Sequence, residues 1–515
     1  AFRVADYLVL ALLLFQSADV RGRGCDDDRA ALLEYAHAST LGWDRAESVN
    51  EFEALGVFCE DDTVYAIELP SGRELPGPLP AAWSKLASLE SFEAENNGIT
   101  GSLPPEWSAL RQLWLLSCWQ QRLSGPLPPQ YSRWARMEEL SLAENDLSGP
   151  IPDEYSKWNR LSVLELYSNG LTGTLPAKFS VMRGMIALDV EINQLEGTIP
   201  QGYSVFRGLE TLYLYGNLLS GPLPVWLSQM TKLSTLDVGY NQLTGPVHPQ
   251  FSTLAKLEML DLGETNRFVG TLPPQWSQLD ELTFFAVAGS IEGTLPPGYS
   301  RWSKLEESWV EDNQLSGPLP AQYSAWASLK ELSVSGNSVT GTLPPQLSAL
   351  TGATSLDVSF NAFAGSLPAQ LSKLTELTML SFEDNNLGGS LPPQLSTLRK
   401  MAELLAYQNY LSGQLPPQYS VLSALQEIDV DDNQLIGRLP LQWSTLTQMR
   451  RVFAYGNALS GRLPWTWSTM QLLRELTLDS NAFEGSIPKV RGGGHDVHLR
   501  TKCCESIRVP GLVSC

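Results

Sequence analysis

Leucines and other apolar residues recur along most of the chain in a unit that repeats every 24 residues. Glycine marks the period: it occurs every 24 residues from position 77 to 245, then at 270 and 293, and every 24 residues from 317 to 485. A leucine-rich period of this length is typical of a solenoid, in which each repeat forms one coil and packs against its neighbours. The pattern predicts one quasi-linear domain of about eighteen coils.

Each unit reads close to LxxLxLxxNxLxGxLPPxWSxL, as in residues 137–158. The alternation in LxL predicts a short strand, and stacked coils would join these strands in one parallel sheet on the concave face. The LPP segment favours extended geometry, and the Ser after the aromatic residue is placed to cap a short helical turn on the convex face. The predicted fold class is an α/β-type solenoid, with that aromatic residue packed between coils.

Asparagine stands four residues before the glycine in 15 of the 17 internal coils, and Gln121 and Gly289 are the exceptions. The residue tolerates tight turns, and its amide offers both donors and an acceptor. An asparagine at the same corner of every coil can therefore bond buried backbone groups of its own and neighbouring coils.

The two ends of the chain differ from the repeats. Arg3 precedes an apolar stretch at 7–15 that is followed by small and polar residues, which is the pattern of a secretory signal peptide. We predict a signal peptide at 1–24, an N-terminal cap at 25–72, the solenoid at 73–488, and a C-terminal cap or truncated tail at 489–515. Caps are expected because an open coil exposes apolar surface and unpaired strand edges.

The cysteines are interpreted through the predicted secretion. In a secreted chain, cysteines clustered near the ends indicate disulfides that close terminal caps. Cys25 and Cys59 form the natural N-terminal pair, whereas Cys118 replaces a repeat Leu, Val or Phe and is predicted to be a buried thiol. A C-terminal disulfide is expected between the last cysteine and one of the other two in the set Cys503, Cys504 and Cys515.

The repeat resembles the plant-type 24-residue leucine-rich repeat. Its PPQWS and PPQYS variants, as in TLPPQWSQL and QLPPQYSVL, are similar to repeats of the Leishmania-type promastigote surface antigen and of proteophosphoglycan-like kinetoplastid proteins. The resemblance covers residues 25–488 and implies a secreted or surface-anchored protein that binds partners through its repeats. Members often carry a stalk and an anchor signal. The ending CCESIRVPGLVSC has neither, so anchoring and secretion both stay open.

Composition narrows the function classes. The formal net charge is −21, and a negative field repels phosphate backbones and anionic lipids. No apolar run reaches the roughly 18 residues of a membrane span. We therefore predict no nucleic-acid partner, and membrane association only through a possible anchor.

Catalysis and metal binding find little support in the sequence. The chain has four His, none of them in a nucleophile–base arrangement. His495 and His498 lie near a pair of cysteines and superficially suggest zinc, but disulfides are the favoured interpretation of those cysteines. We predict no enzyme activity, no catalytic residue, no metal and no cofactor.

The candidate binding site is the set of outward strand positions: the residue between the two leucines of LxL, and the residue after that pair. In sixteen regular coils these 32 positions hold 13 acids, eight aromatic residues and no Lys or Arg. Average composition would place about 3.5 acids and 2 bases there. The acids are Glu93, Glu95, Glu165, Asp189, Glu191, Asp237, Asp261, Glu311, Asp357, Glu383, Asp429, Asp431 and Asp479. The aromatic residues are Trp119, Tyr167, Tyr213, Tyr215, Trp309, Tyr407, Phe453 and Tyr455.

We expect these side chains to face outward and to carry little packing. Carboxylates beside rings suit a basic protein surface, through charge pairing and cation–π contacts, and they also suit a glycan. The predicted function is recognition of a protein or glycan partner through the concave face, by a protein that is secreted or on the extracellular face of the plasma membrane. The alternative is a structural surface-coat component without a specific ligand, whose polar face only keeps the sheet soluble.

Overall fold

The computed structural model describes residue 25 and residues 28–34, 56–484 and 498–499. The predicted signal peptide lies outside the described residues, as do Cys503, Cys504, Cys515, most of the predicted C-terminal segment and part of the predicted N-terminal cap. The chain divides into two compact units. The first comprises Ala1–Thr172 and Lys178–Met185, and the second comprises Gly173–Ala177 and Ile186–Cys515.

In the first unit each coil supplies a strand to a first sheet, a strand to a second sheet, and a 3-10 turn. A short α-helix, Arg29–Leu32, precedes them. The first-sheet strands are Val57–Glu60, Thr63–Leu69, Ser91–Ala94, Leu115–Ser117, Glu139–Ser141 and Val163–Glu165. The second-sheet strands are Thr100–Gly101, Arg122–Pro126 and Asp146–Pro150, and the turns are Ala81–Lys85, Pro105–Ala109, Pro129–Arg133 and Asp153–Lys157. The strand Gly170–Thr174 and the turn Ala177–Val181 contain residues of both units.

The second unit repeats the same coil. Its first-sheet strands are Ala187–Asp189, Thr211–Tyr213, Thr235–Asp237, Met259–Leu262, Phe284–Val287, Glu307–Trp309, Glu331–Ser333, Ser355–Asp357, Met379–Ser381, Glu403–Leu405, Glu427–Asp429, Arg451–Phe453, Glu475–Thr477 and His498–Leu499. Its second-sheet strands are Gln194–Gly197, Leu218–Pro222, Gln242–Pro246, Arg267–Thr271, Gly289–Thr294, Gln314–Pro318, Ser338–Gly341, Ala362–Ser366, Asn386–Gly389, Tyr410–Gly413, Gln434–Gly437, Ala458–Gly461 and Ala482–Phe483. Its turns are Gln201–Val205, Val225–Gln229, Pro249–Thr253, Pro274–Gln278, Pro297–Arg301, Ala321–Ala325, Pro345–Ala349, Ala369–Lys373, Pro393–Thr397, Pro417–Val421, Leu441–Thr445 and Trp465–Thr469.

Within each unit, first-sheet strands pair in parallel with a register of one repeat. Leu212, for example, pairs with Leu236, and Leu236 pairs with Leu260. The strands Val57–Glu60 and Thr63–Leu69 differ, because they form an antiparallel hairpin. The middle residue of Thr211–Tyr213 is buried while its two neighbours are partly exposed, as alternation of side chains across a strand requires. The predicted solenoid of parallel strands and short turns is confirmed.

A buried asparagine holds neighbouring coils together. Asn241, which is 1% exposed, accepts a hydrogen bond on Oδ1 from the Leu219 backbone N–H at 2.9 Å. Its Nδ2 donates to the backbone carbonyls of Leu214, Val238 and Gly239 at 2.9, 3.2 and 3.0 Å. One side chain therefore satisfies backbone groups of its own coil and of the preceding one, which is the predicted role.

The two coils that lack asparagine solve the same problem in different ways. Gln121 accepts hydrogen bonds from the backbone N–H groups of Asn97 and Ile99 at 3.1 and 2.9 Å and donates to the Ala94 carbonyl at 3.1 Å. At Gly289 the backbone itself pairs with Phe268 of the preceding coil. A Cβ at this glycine would lie 2.6 Å from the Phe268 backbone N and O, so only glycine permits the approach.

Aromatic residues in the turns, and directly after them, pack between coils, as predicted for the residue before the serine. Tyr131 and Trp158 are 0% exposed. Tyr131 donates its hydroxyl to the Pro104 carbonyl at 3.0 Å, and the Trp158 indole N–H donates to the Tyr131 carbonyl at 3.0 Å. These side chains bury a large apolar surface and still place each polar tip on a carbonyl of the preceding coil.

The predicted capping role of the serine is wrong. In the turn Pro129–Arg133 the N-cap residue is Pro128, with an extended backbone at φ −70° and ψ 116°, and no side chain caps the turn. Ser132 lies inside the turn instead. Proline sets the entry to the turn, because its fixed φ already suits this geometry.

The predicted Cys25–Cys59 disulfide is present, with Cα atoms 5.7 Å apart and a sequence separation of 34. It joins the segment before the helix to the first strand of the hairpin. Cys118 is a free, buried cysteine, and burial raises the pKa of its thiol well above the ordinary value. Both predictions for described cysteines are confirmed.

Asn241→Ala should lower the free energy of unfolding by about 2 kcal/mol or more, because it leaves buried backbone groups in two coils without partners. Hydrogen exchange should show faster exchange at the Leu219 N–H than in the parent protein. The matched control is Asn159→Ala, at an exposed position, which should change little. Equal exchange at the Leu219 N–H in both variants would contradict a structural role for the asparagine ladder, the asparagines repeated at the same corner of successive coils.

Replacing Cys59 with Ala should destabilise the N-terminal coils by about 2–4 kcal/mol, because the disulfide restricts the unfolded chain. Cys118→Val should cost far less, since a buried thiol and a Val side chain are similar in size. Urea unfolding under oxidising conditions compares the two variants. A loss as large for Cys118→Val as for Cys59→Ala would refute this assignment.

Candidate functional site

The predicted site residues form columns on the solvent side of the first sheet, here called the first-sheet face. In the second unit Asp189, Tyr213, Asp237 and Asp261 follow one another in register on adjacent strands, and this line of positions is the central column. The residue two positions later in each coil, such as Tyr215, belongs to the late column. The residue two positions earlier, such as Thr211, belongs to the early column.

The structure groups the candidates by unit. In the first unit the central and late columns bring together Glu93, Glu95, Trp119, Glu165 and Tyr167. In the second unit a set of candidates nearer the N-terminus, the N-terminal group, comprises Asp189, Glu191, Tyr213, Tyr215, Asp237 and Asp261. Trp309 and Glu311 come next, followed by a coil with Ser333 and Ser335 in these columns. A second set, the C-terminal group, comprises Asp357, Glu383, Tyr407, Asp429, Asp431, Phe453, Tyr455 and Asp479.

The expectation that these outward side chains carry little packing is wrong for two acids. Asp237 and Glu383 are 6% and 7% exposed. Glu383 accepts a hydrogen bond from the Ser381 hydroxyl. By contrast, Trp309 and Tyr455 are 38% and 40% exposed. Side chains on the two adjacent strands cover a residue within a column, so its position in the strand alone does not determine how exposed it is.

Aspartates of the central column also have a local structural role. Oδ1 of Asp237 accepts the Gly239 N–H at 3.0 Å, and Asp261 accepts the Gly263 N–H at 2.7 Å. The same bond recurs two residues after Asp189, Asp357 and Asp429. Aspartate reaches the backbone where the strand ends, which accounts for aspartate in the central column.

Burial and like charge raise the pKa of acids in the first unit. The pKa of Glu93 rises to about 7 through burial and through Glu68, Glu139 and Glu95. The pKa of Glu139 also rises to about 7, through burial and Glu165. Glu139 was not among the predicted site residues, because the early column was left out. Glu68 is in register with Glu93 in the central column, but it lies in the predicted N-terminal cap, before the coils that were counted. Period-two alternation would have identified Glu139.

The pKa values of two acids in the N-terminal group of the second unit are raised in the same way. Burial raises the pKa of Asp237 and Asp261, and the Coulombic repulsion of Asp261 adds to the effect on Asp237. In the C-terminal group burial raises the pKa of Asp429 to about 7 and that of Asp431 to about 6. The first-sheet face therefore concentrates carboxyl groups for which ionisation is unfavourable without a positive neighbour.

Additional rings border these acids. Tyr240 lies 6.0 Å from Tyr215 between ring centroids, and Phe360 lies 6.3 Å from Tyr407. Both occupy the position before the asparagine, with a left-handed backbone at φ 50°. The sequence could not indicate them as site residues, because that position belongs to neither alternating column.

The early column also changes the charge picture. It contains Glu139, Glu307, Glu331, Glu403, Glu427 and Glu475, and one base, Arg451. Arg451 Nε donates to the Glu427 carboxylate at 2.6 Å. The predicted absence of bases holds for the two columns counted from the sequence but not for the whole face.

Other chemistry is limited within the described part of the chain. No group of three or more His, Cys, Asp or Glu residues among the described positions is placed to hold a metal ion. No helix in the same residues is long and apolar enough to cross a bilayer. His248 Nε2 lies 3.1 Å from the Leu223 carbonyl oxygen and so takes part in packing between coils.

Residues 208–230 and 328–350 match the sequence model of the family described as Leucine Rich Repeat. The fold is a leucine-rich repeat solenoid. No curated protein matches the chain in sequence.

Ectodomains of plant receptors are among the similar structures. The plant peptide hormone receptor RGFR1, solved with RGF2, is 25% identical with a TM-score of 0.68, and the match covers 82% of this chain and 75% of that one. The Arabidopsis receptor kinase HAESA, solved with the peptide hormone IDA and the co-receptor SERK1, is 26% identical with a TM-score of 0.66, over 90% and 91% of the two chains. PEPR1 with AtPEP1, at 24% identity, a TM-score of 0.69 and coverage of 90% and 76%, supports the fold alone.

The raised pKa values predict how stability depends on pH. A buried acid whose folded-state pKa is raised keeps its proton at a pH where the unfolded chain has lost it. The free energy of unfolding therefore falls as pH rises from the ordinary carboxyl range through the folded-state pKa. The protein should be more stable at pH 5 than at pH 8.5.

Asp237→Asn should reduce this pH dependence and raise the thermal midpoint at pH 8.5. The amide keeps an oxygen for the Gly239 N–H but carries no charge. Asp146→Asn, at an exposed position on the second sheet, is the control and should leave the dependence unchanged. An identical slope in Asp237→Asn and the parent protein would show that the buried carboxyl does not contribute.

Proposed function

We propose that this protein is an extracellular recognition protein that binds a cationic surface of a protein partner through the first-sheet face, which the sequence predicts to be concave. The supporting observation is the in-register arrangement of carboxylates and aromatic rings over successive strands, as in Asp189, Tyr213 and Asp237. The role proposed is binding and not catalysis. Secretion or surface display, and a relation to kinetoplastid surface antigens through the PPQWS and PPQYS repeats, are parts of the same proposal.

The similar structures favour a protein partner over a glycan. RGFR1 is described with the peptide RGF2, and HAESA with the peptide hormone IDA and the co-receptor SERK1. Both receptors match most of this chain. A leucine-rich repeat stack of this size can therefore present a surface long enough for an extended peptide, which supports transfer of a protein-binding role to this chain.

The electrostatics of the face favour a cationic partner. Asp237, Asp261, Asp429 and Glu93 have raised pKa values because they are buried and lie near other acids. A bound Arg or Lys would relieve this repulsion and favour ionisation. Binding should therefore release protons, strengthen as pH rises through the range in which these groups titrate, and weaken with added salt.

A charge-matched pair of variants tests the proposal. The face variant changes Asp237, Asp261, Asp429 and Asp431 to Asn. The control variant changes Glu106, Asp146, Glu154 and Asp280 to the corresponding amides, at exposed positions away from the face. Phage that display random dodecapeptides are selected on the parent protein, and the selected peptides are measured against all three proteins at low and physiological salt.

We expect the selected peptides to carry net positive charge and to bind the face variant at least about tenfold more weakly than the control variant at low salt. Their remaining affinity for the face variant should depend less on salt. Selected peptides without a positive bias, or with equal affinity for both variants, would refute the proposal. Self-association that saturates without any selected peptide would favour the surface-coat alternative.

A further inference from the structure

We infer that one part of the first-sheet face is a docking surface for an arginine side chain, presented by a protein segment that carries an apolar residue beside it. This aromatic patch consists of Ile192, Tyr213, Tyr215, Asp237, Gly239, Tyr240 and Asp261, all in the second unit. The inference rests on the proposed function and specifies the partner's chemistry at one place.

The central column places an aromatic ring between carboxylates. Tyr213 is in register with Asp189 on one side and with Asp237 on the other, and Asp261 follows Asp237. Adjacent strands are about 4.8 Å apart. A flat cation lying across these strands can therefore contact a ring and a carboxylate together.

Gly239 shapes the patch by its lack of a side chain. A Cβ at this position would lie 3.0 Å from Tyr215 Cδ2 and 3.0 Å from Asp261 Oδ1. Gly239 is absent from the glycines with a left-handed backbone, so the backbone itself does not demand glycine. The glycine instead allows the ring and the carboxylate to converge over its Cα, and any larger residue would displace one of them.

Two large apolar side chains at the edge of the patch are exposed. Ile192 and Tyr240 are 49% and 50% exposed, and both have a left-handed backbone, at φ 51° and 50°. A β-branched residue such as Ile192 is rare in that conformation. Apolar surface that stays exposed to water does not stabilise the free protein. An apolar side chain of a partner would cover this area, with a gain proportional to the area removed from water.

Charge complementarity selects the occupant. Asp237 and Asp261 take part in none of the ion pairs found in the described part of the chain. In the early column, by contrast, Arg451 already pairs with Glu427. We therefore assign the positive charge that complements the aromatic patch to a partner. Arginine fits better than lysine, because a planar and weakly hydrated guanidinium stacks on rings and pairs with carboxylates at the same time.

The test uses a fluorescein-labelled dodecapeptide with a Leu-Arg-Leu core in a Gly-Ser background, measured by fluorescence anisotropy. Peptides with Lys or the uncharged analogue citrulline in place of Arg are compared with it. Gly239→Ala and Asp261→Asn probe the patch. Gly184→Ala is the control, because a Cβ there meets only the Leu161 carbonyl oxygen, at 3.6 Å.

We expect citrulline to weaken binding by about tenfold or more and lysine by a smaller factor. Gly239→Ala and Asp261→Asn should each weaken binding of the arginine peptide by about tenfold and leave the thermal midpoint close to that of Gly184→Ala. They should have little effect on the citrulline peptide. A loss of affinity for the arginine peptide but not for the citrulline peptide would show that the variants disturb the aromatic patch and not the structure as a whole.

Failure of this inference differs from failure of the proposed function. Unchanged affinity in both patch variants, equal binding of the arginine and citrulline peptides, or no binding of the arginine peptide at all would each overturn the docking surface. Selected cationic peptides that still distinguish the face variant from the control variant would then leave the proposed function standing, with its contacts elsewhere on the first-sheet face.

Discussion

The buried asparagine ladder is the interaction on which the rest of the structure depends. Each asparagine joins its own coil to the preceding one through an acceptor bond and donor bonds, as Asn241 and Asn217 both do. The backbone groups that these amides bind are buried, and leaving them unpaired would be costly. The ladder therefore sets the spacing of the coils, and that spacing keeps the first-sheet strands in register.

Strict register has an electrostatic consequence for the first-sheet face. Any residue type that repeats at one place in the unit becomes a column, so repeated acids come to lie beside one another and repel. Burial, together with the repulsion of Asp261, raises the pKa of Asp237. The backbone bond at the end of the strand accounts for aspartate in the central column. The proposed cationic partner would account for acids that are buried, adjacent and bordered by rings, whereas solubility alone would be served by exposed and separated acids or by lysine.

Periodicity was enough to predict the coil, the asparagine role and the packed aromatic residues. The Cys25–Cys59 disulfide was predicted from the position of these cysteines near the N-terminus of a chain with a secretory signal pattern. The site was predicted only in part. Two columns were found, whereas the early column with Glu139 and Arg451 required the full alternation of the strand. The buried state of Asp237 depends on neighbours one coil away, whereas its bond to Gly239 lies within its own coil. The serine was misread because proline, and not a side-chain cap, sets the entry to the turn.

The irregular coil shows why the face is not uniform. At Gly289 direct backbone pairing replaces the asparagine, and the adjoining first-sheet strand is Phe284–Val287. In the central column Ala286 stands between Asp261 and Trp309, while Phe284 packs against Trp309 with ring centroids 5.3 Å apart. A small apolar residue thus ends the run of acids just past the aromatic patch. The coil in which backbone pairing replaces the asparagine is therefore also the coil at which the run of acids in the central column ends.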